Sequence, residues 1–168
     1  MVSLLFAAAL LVPAPAPPVD SVARLPEPVP AVWRIDPNHS GVNFRIRHFV
    51  TKVRGNFKDF TGTITADPDA WQGASIEVEI KTASISTDND RRDADLRSSN
   101  FFAVDSFPTI SFKSTRVERS GDDAKIYGML TIKGITRPVV LDGHFNGVMK
   151  TGQVERVGFE AKTTIDRT

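Results

Sequence analysis

The sequence has 168 residues, 40% of them hydrophobic, with 21 basic against 20 acidic side chains, which suits one domain with a substantial core. Near-neutral charge and basic clusters no longer than Arg91-Arg92 and Lys52 with Arg54 argue against a nucleic-acid partner and read as solvated surface. The absence of cysteine excludes disulfide staples, thiolate metal sites and cysteine nucleophiles together.

The chain opens with an apolar run, Val2 to Val12, rich in Leu and Ala. It is too short to span a membrane and fits the central region of a signal peptide. Ala14-x-Ala16 resembles a cleavage site, so residues 1–16 are expected to direct export to the periplasm or the medium. The other reading is a buried N-terminal helix, which Pro13 would stop. Of the 11 prolines, 7 fall between Pro13 and Pro30, so residues 17–30 read as an extended linker. The domain is expected at residues 31–168.

From there the apolar period becomes two, the signature of strands with one dry and one wet face. A short segment at Val32 to Asp36 is followed by Val42, Phe44 and Ile46 alternating with Asn43, Arg45 and Arg47, and His48 continues the inward series. Thr51 to Phe57 and Gly62 to Ala66 come next, the latter with Ile64 inward. Ile76, Val78 and Ile80 alternate with Glu77, Glu79 and Lys81. Between Thr87 and Phe102 the pattern breaks, and the polar stretch Asp88 to Arg97 suits a short capped helix with acids early and an arginine late. Leu96, Phe101 and Phe102 give that helix an apolar underside, fit to cover a sheet edge or a barrel end. Strands resume with Ile110 and Phe112, then with Ala124, Ile126, Gly128, Leu130 and Ile132. Two further runs follow: Val139, Leu141, Gly143 and Phe145, then Val157, Phe159, Ala161, Thr163 and Ile165. Asp36-Pro37-Asn38, Asp67-Pro68-Asp69, Ser120-Gly121-Asp122, Lys133-Gly134 and Thr151-Gly152 mark the turns. Many short strands at this spacing specify an all-β sandwich or barrel.

Candidate chemistry is sparse. His39, His48 and His144 lie on different predicted elements without the spacing of a metal site. His48 reads either as a core histidine holding one hydrogen bond or as a polar handle inside a cavity. Asp90, Asp93 and Asp95 sit on a segment expected to be exposed, where helix capping accounts for them. Gly55, Gly62 and Gly128 fall inside strands, as at bulges and barrel bends. No phosphate loop or nucleophile elbow is present. No catalytic residue, cofactor or metal ligand is expected.

Three blocks of sequence carry a family likeness. They are an opening block, Trp33 to Ser40 with Val42-x-Phe44-x-Ile46-x-His48 and Val53-x-Gly55-x-Phe57-x-x-Phe60-x-Gly62; a middle block, Ile85-x-Thr87 with Arg92-Asp93-x-x-Leu96-x-Ser98-x-x-Phe101-Phe102 and Phe107-Pro108-x-Ile110-x-Phe112; and a later block, Gly128-x-Leu130-Thr131-Ile132-x-Gly134-x-Thr136. In order and spacing they resemble the YceI-like family of polyisoprenoid-binding proteins. The resemblance implies a lipocalin-like antiparallel β-barrel with a short helix, and an apolar tunnel holding an isoprenoid or quinone-like lipid. Alternation alone leaves a hollow and a packed barrel both open. A strand of eight residues spans roughly 26 Å, deep enough for a long hydrocarbon.

Alternation and resemblance together assign the lipid-binding residues. On the early strands they are Phe44, Ile46, His48, Phe57, Phe60 and Ile64. In the middle they are Ile76, Val78, Ile80, Leu96, Phe101 and Phe102. Later come Ile110, Phe112, Ile126, Leu130 and Ile132, with Gly62 and Gly128 leaving room for the chain. Asp95 stands where members often carry histidine, and Asn100 where an acid is usual, so no polar role is carried over to the helix. The sequence stops at Ile165-Asp166-Arg167-Thr168, where the family continues into a Phe-Gly segment and a closing strand. The barrel is therefore expected to lack its C-terminal closing strand. The strands' outward polar residues leave monomer and homodimer both open.

Overall fold

The computed structural model describes residues 30–48, 50–67, 71, 73–152 and 154–166. The expected signal segment and almost all of the linker lie outside these residues. Among the described residues ten strands and one α-helix are formed, the strands in two sheets. Strands β1 (Ala31–Arg34), β4 (Phe60–Ala66), β5 (Ser75–Lys81), β7 (Thr109–Ser120), β8 (Asp123–Ile132), β9 (Ile135–Thr151) and β10 (Val154–Lys162) make a seven-stranded antiparallel sheet in that order. Strands β2 (Val42–His48), β3 (Thr51–Phe57) and β6 (Ile85–Ser86) make a second sheet of three. Helix α1 (Asp90–Arg97) follows β6.

Local chemistry sets most of these boundaries. Lys133 and Gly134 both have positive φ, 50° and 73°, which turns β8 into β9 over two residues. Gly121 at φ 63° does the same between β7 and β8. At Lys58-Asp59 the chain leaves β3 of the small sheet and enters β4 of the large one. There the Lys58 amide donates to the Ser84 carbonyl at 3.2 Å and the Lys81 amide to the Asp59 carbonyl at 2.9 Å. The expected all-β fold is thus present, as a sheet curled into a half-barrel. Among the described residues its two edges, β1 and β10, are not paired with each other.

Two strands differ from expectation. β9 runs for 17 residues, because each position from Ile135 to His144 has a partner on β8 and each from Asp142 to Thr151, except Asn146, has one on β10. β10 ends at Lys162, so Thr163 and Ile165 lie beyond it; the Thr163 hydroxyl turns back to donate to the Val140 carbonyl at 2.8 Å.

α1 is built as anticipated, but its acids do different work. Asn89 is the N-cap, its side chain accepting from the Arg92 amide at 2.9 Å. Asp93, expected at the surface, is 5% exposed and accepts from the Thr87 amide at 2.9 Å and from the Thr87 hydroxyl. Arg92 donates to the Thr87 hydroxyl and carbonyl at 2.8 and 2.9 Å, and Arg97 to the carbonyls of Ala83 and Ile85 at 2.8 and 2.7 Å. A short polar helix is thereby fastened to the segment from Ala83 through β6 to Thr87 by charge-assisted bonds as well as by burial.

Candidate functional site

The inner face of the large sheet is a curved apolar wall. Its cross-strand rows place Phe60, Ile80 and Ile110 side by side, then Gly62, Val78, Phe112 and Leu130, then Ile64 with Ile76. Farther along, Val117 faces Ile126 and Leu141. The curl shows in one contact: Trp71, between β4 and β5, lies 5.8 Å from Phe145 on β9. Three strand spacings of about 4.8 Å separate β5 from β9 along the ladder, so only a bent sheet brings these rings together.

Two packed clusters divide the hollow. At one end Phe57, Ile85 and Ile110 are buried with Val42, Phe44, Ile80, Leu96, Phe102, Leu130 and Ile132 around them. This is where the β2–β3 hairpin, β6 and α1 cover the sheet. Toward the other end Ile64, Ala66, Ala74, Ile76, Val117 and Ile126 pack with Trp33, Trp71, Val78, Phe112 and Leu141. Trp33 stacks on Trp71 at 4.9 Å between ring centroids.

Beside the second cluster the wall is incompletely filled. A cavity of about 60 Å³ is bordered by Ile64, Trp71, Ala74, Ile76, Val117, Ala124, Ile126, Phe145 and Phe159, with Arg119 and Asp122 at its rim. Arg119 stands over the Phe145 ring at 4.7 Å and donates through Nε to the Gly121 carbonyl at 2.7 Å. β10 forms its outer flank, where Phe159 is 38% exposed. Among the described residues the hollow is therefore a trough open along β9 and β10 and not a closed tunnel.

The sequence-assigned residues distribute unevenly over this geometry. Phe44, Phe57, Ile80, Leu96, Phe102, Ile110, Leu130 and Ile132 meet in the covered cluster; Ile64, Ile76, Val78, Phe112 and Ile126 meet in the other. Phe60 is buried and Ile46 half-buried on the hairpin. Phe101 does not join the apolar underside expected of the helix. It is 40% exposed, because the chain turns after Ser98 and its amide bonds the Ser98 carbonyl while Phe102 alone folds inward. The side chain of His48 lies outside the described residues.

Gly62 and Gly128 do not leave space for a ligand. A Cβ at Gly128 would stand 2.5 Å from the Phe112 ring and 2.6 Å from the Lys113 carbonyl, and one at Gly62 would stand 2.6 Å from Ile35 Cδ1. Gly55 is likewise occupied, by Phe44 directly across the ladder. The glycines admit neighbouring side chains, and the room is already taken.

Sequence reasoning missed Ile85, Val117, Trp71 and Leu141. Val117 was hidden by a bulge: the register shifts between Ser114 and Arg116, moving the inward parity from Ile110, Phe112 and Ser114 to Val117 and Arg119. At the bulge the Ser114 hydroxyl accepts from the Ile76 amide at 2.8 Å, replacing a ladder bond. A Ser-Thr pair inside an alternating run, opposite a glycine, was the available signal.

The outer face of the large sheet is ordered by opposite charges. Lys113 meets Glu77 at 2.6 Å, Lys81 meets Glu79 at 2.7 Å, and Lys125 meets Asp142. These hydrogen bonds hold the three lysines above their ordinary pKa and Asp142 below its own. On the same face Asp123, His144 and Glu160 form one cross-strand row. His144 Nδ1 lies 2.8 Å from Asp123, and that hydrogen bond, aided by the charges of Asp123, Asp122 and Glu160, raises the imidazole pKa against the effect of desolvation. His39 pairs with Asp36 at 2.7 Å; that bond chiefly lowers the Asp36 carboxyl, with a smaller contribution from the charge of Arg156 on β10. Burial works to raise the Asp93 carboxyl, but the bonds from Thr87 and the charges of Arg97 and Arg92 outweigh it and hold it low. Among the described residues no three His, Asp or Glu side chains converge as a metal site.

Known proteins resemble this chain along most of its length. The model of the YceI-like domain matches residues 33–168. The protein YceI of Salmonella arizonae is 40% identical over 141 residues, 82% of this chain and 74% of that protein. The crystal structure of Campylobacter jejuni YceI superposes with a TM-score of 0.62 at 35% identity, over 74% of this chain and 75% of that one. Burkholderia cenocepacia BcnA shares the fold, with a TM-score of 0.64 at 22% identity over 72% and 75% of the two chains.

Proposed function

This chain belongs to the YceI-like family, and from that premise we propose that it binds a long apolar lipid, a polyisoprenoid or quinone-like molecule, in the trough of its large sheet. The observation that carries the reading is the inner face itself. From Ile64 and Ile76 through Val117 and Ile126 to Phe145 and Phe159 it is apolar, covered at one end and open along β9 and β10. Pockets that enclose small organic ligands run to roughly 300–1,000 Å³, so the cavity of about 60 Å³ would hold only part of such a chain. The remainder would lie against the exposed flank. Each methylene removed from water contributes about 0.8 kcal/mol, so affinity would grow with chain length and depend little on a head group.

The apolar run Val2 to Val12 supports export, and with it carriage or storage of the lipid in the periplasm or outside the cell. We assign no reaction. Asp93, the buried acid among the described residues, has its carboxylate committed to Thr87, and the shifted histidine and lysines are exposed and ion-paired.

The test is native mass spectrometry of gently purified protein, followed by titration with isoprenoids of increasing length. Bound lipid is expected, with affinity rising as the chain lengthens. Protein that repeatedly arrives empty and takes up none of the series would overturn the reading. A second reading, a packed structural module, draws on the aromatic rings that fill the space above Gly55 and Gly128. It predicts that empty outcome together with unaltered thermal stability in the presence of isoprenoid.

A further inference from the structure

The β2–β3 hairpin breaks the charge rule that the outer face of the large sheet follows. Its register sets Arg45 opposite Arg54 and Arg47 opposite Lys52. Directly opposed residues of an antiparallel pair share a face, and like charges placed so repel. All four are exposed. No Asp or Glu occurs from Val42 to Phe57, and among the described residues none of the four cations is paired with a carboxylate. The whole chain carries only +1, so the remainder of the molecule is net negative and the positive charge is concentrated here. The opposite side of the hairpin is apolar, with Val42 and Phe44 packed into the covered cluster. The cationic face is therefore turned outward. At the hairpin's tip Val50 is 98% exposed.

We propose that this face docks the protein onto a bilayer containing acidic phospholipids. A patch of four outward cations beside the exposed Val50 has the two components of interfacial membrane binding, electrostatic attraction to anionic head groups and shallow apolar insertion. Like-charge repulsion within the hairpin is relieved when anionic head groups approach. The chemistry suits a membrane better than nucleic acid, since the patch is short and only two strands wide. The inference does not depend on the trough holding a lipid.

Co-sedimentation with vesicles of phosphatidylcholine, with and without phosphatidylglycerol, tests it. The full chain is expected to bind only the acidic vesicles and to release them as salt is raised. A cation near an acidic surface contributes roughly five-fold in affinity, so replacing Arg45, Arg47, Lys52 and Arg54 together by Gln should weaken binding by at least about a hundredfold. Replacing the three arginines by Lys should preserve it, and Val50→Ser should weaken it a few-fold. Unchanged circular dichroism melting shows that the variants are folded. The vesicles contain no isoprenoid, so docking is read separately from lipid uptake. Failure of the unaltered chain to bind acidic vesicles at low salt would overturn the proposal. So would full binding by the folded Gln variant, or tight binding to a single-stranded oligonucleotide with vesicles ignored.

Discussion

Where the hairpin, β6 and α1 lie over the large sheet, Ile85 has 0% exposure and Phe57 has 7%. Along β9 and β10 the same kinds of side chain are left in water, with Val148 at 45% and Phe159 at 38%. Both regions alternate apolar and polar residues and both are antiparallel. The difference is a second layer: one stretch of wall has an opposing sheet and helix, and the other has none among the described residues. Burial comes from what faces a strand, not from its own pattern, so the covered end supplies stability and the open flank supplies accessible apolar surface.

The sharpest way to break this comparison is to truncate one residue in each region. Ile85→Ala removes a fully buried side chain and should cost about 3 to 4 kcal/mol by urea unfolding. Phe159→Ala, at the half-open flank, should cost less than about 1 kcal/mol and should instead weaken isoprenoid binding. Equal losses of stability would show that the flank is as well packed as the covered end.

Asp93 sharpens the covered end. Asp93→Asn keeps one acceptor for Thr87 but surrenders the charge that Arg92 and Arg97 face, and should cost about 2 kcal/mol. Its folded pKa lies below the ordinary 3.8, so its stabilisation is present above that value and is lost as pH falls through the lower folded one. Chemical unfolding against pH should show the unaltered protein losing this increment in acid and the Asn variant lacking it.

His144 gives the open flank the opposite signature with the smallest effect. Its pKa is raised above 6.5, so its contribution is complete below 6.5 and disappears as pH rises through the folded value. Its side chain is 48% exposed, so the pair with Asp123 is weak. Hydrogen exchange of the β8 to β10 amides, corrected for intrinsic rates, should become modestly faster across that interval, and His144→Gln should flatten the trend. A trend of the same size in β4 and β5 would show that the flank does not titrate as a separate region.

Much of the architecture is legible in the order of residues alone. Period-two alternation places β2, β5, β7 and β8, and turn residues such as Lys133-Gly134 mark the hairpins, because backbone pleat and positive φ are local properties. The acidic start and basic end of Asp88 to Arg97 locate α1. Less of the candidate site can be read this way. Thirteen of its assigned residues do fall in the two apolar clusters, yet alternation cannot tell that they divide between a covered end and an open trough.

The sequence by itself determined strand identity, inward parity up to the first bulge, and membership of the family, since all three depend on neighbours along the chain. Only the tertiary structure decided the rest. It buried Asp93 against Thr87, shifted parity at Ser114 to bring Val117 inward, and filled the spaces at Gly62 and Gly128 with neighbouring side chains. It also gathered Arg45, Arg47, Lys52 and Arg54 onto one face, although in sequence they look like scattered solvated charges. These features depend on which strand lies opposite which and at what register, and that is settled by packing across the fold rather than by any local run of residues.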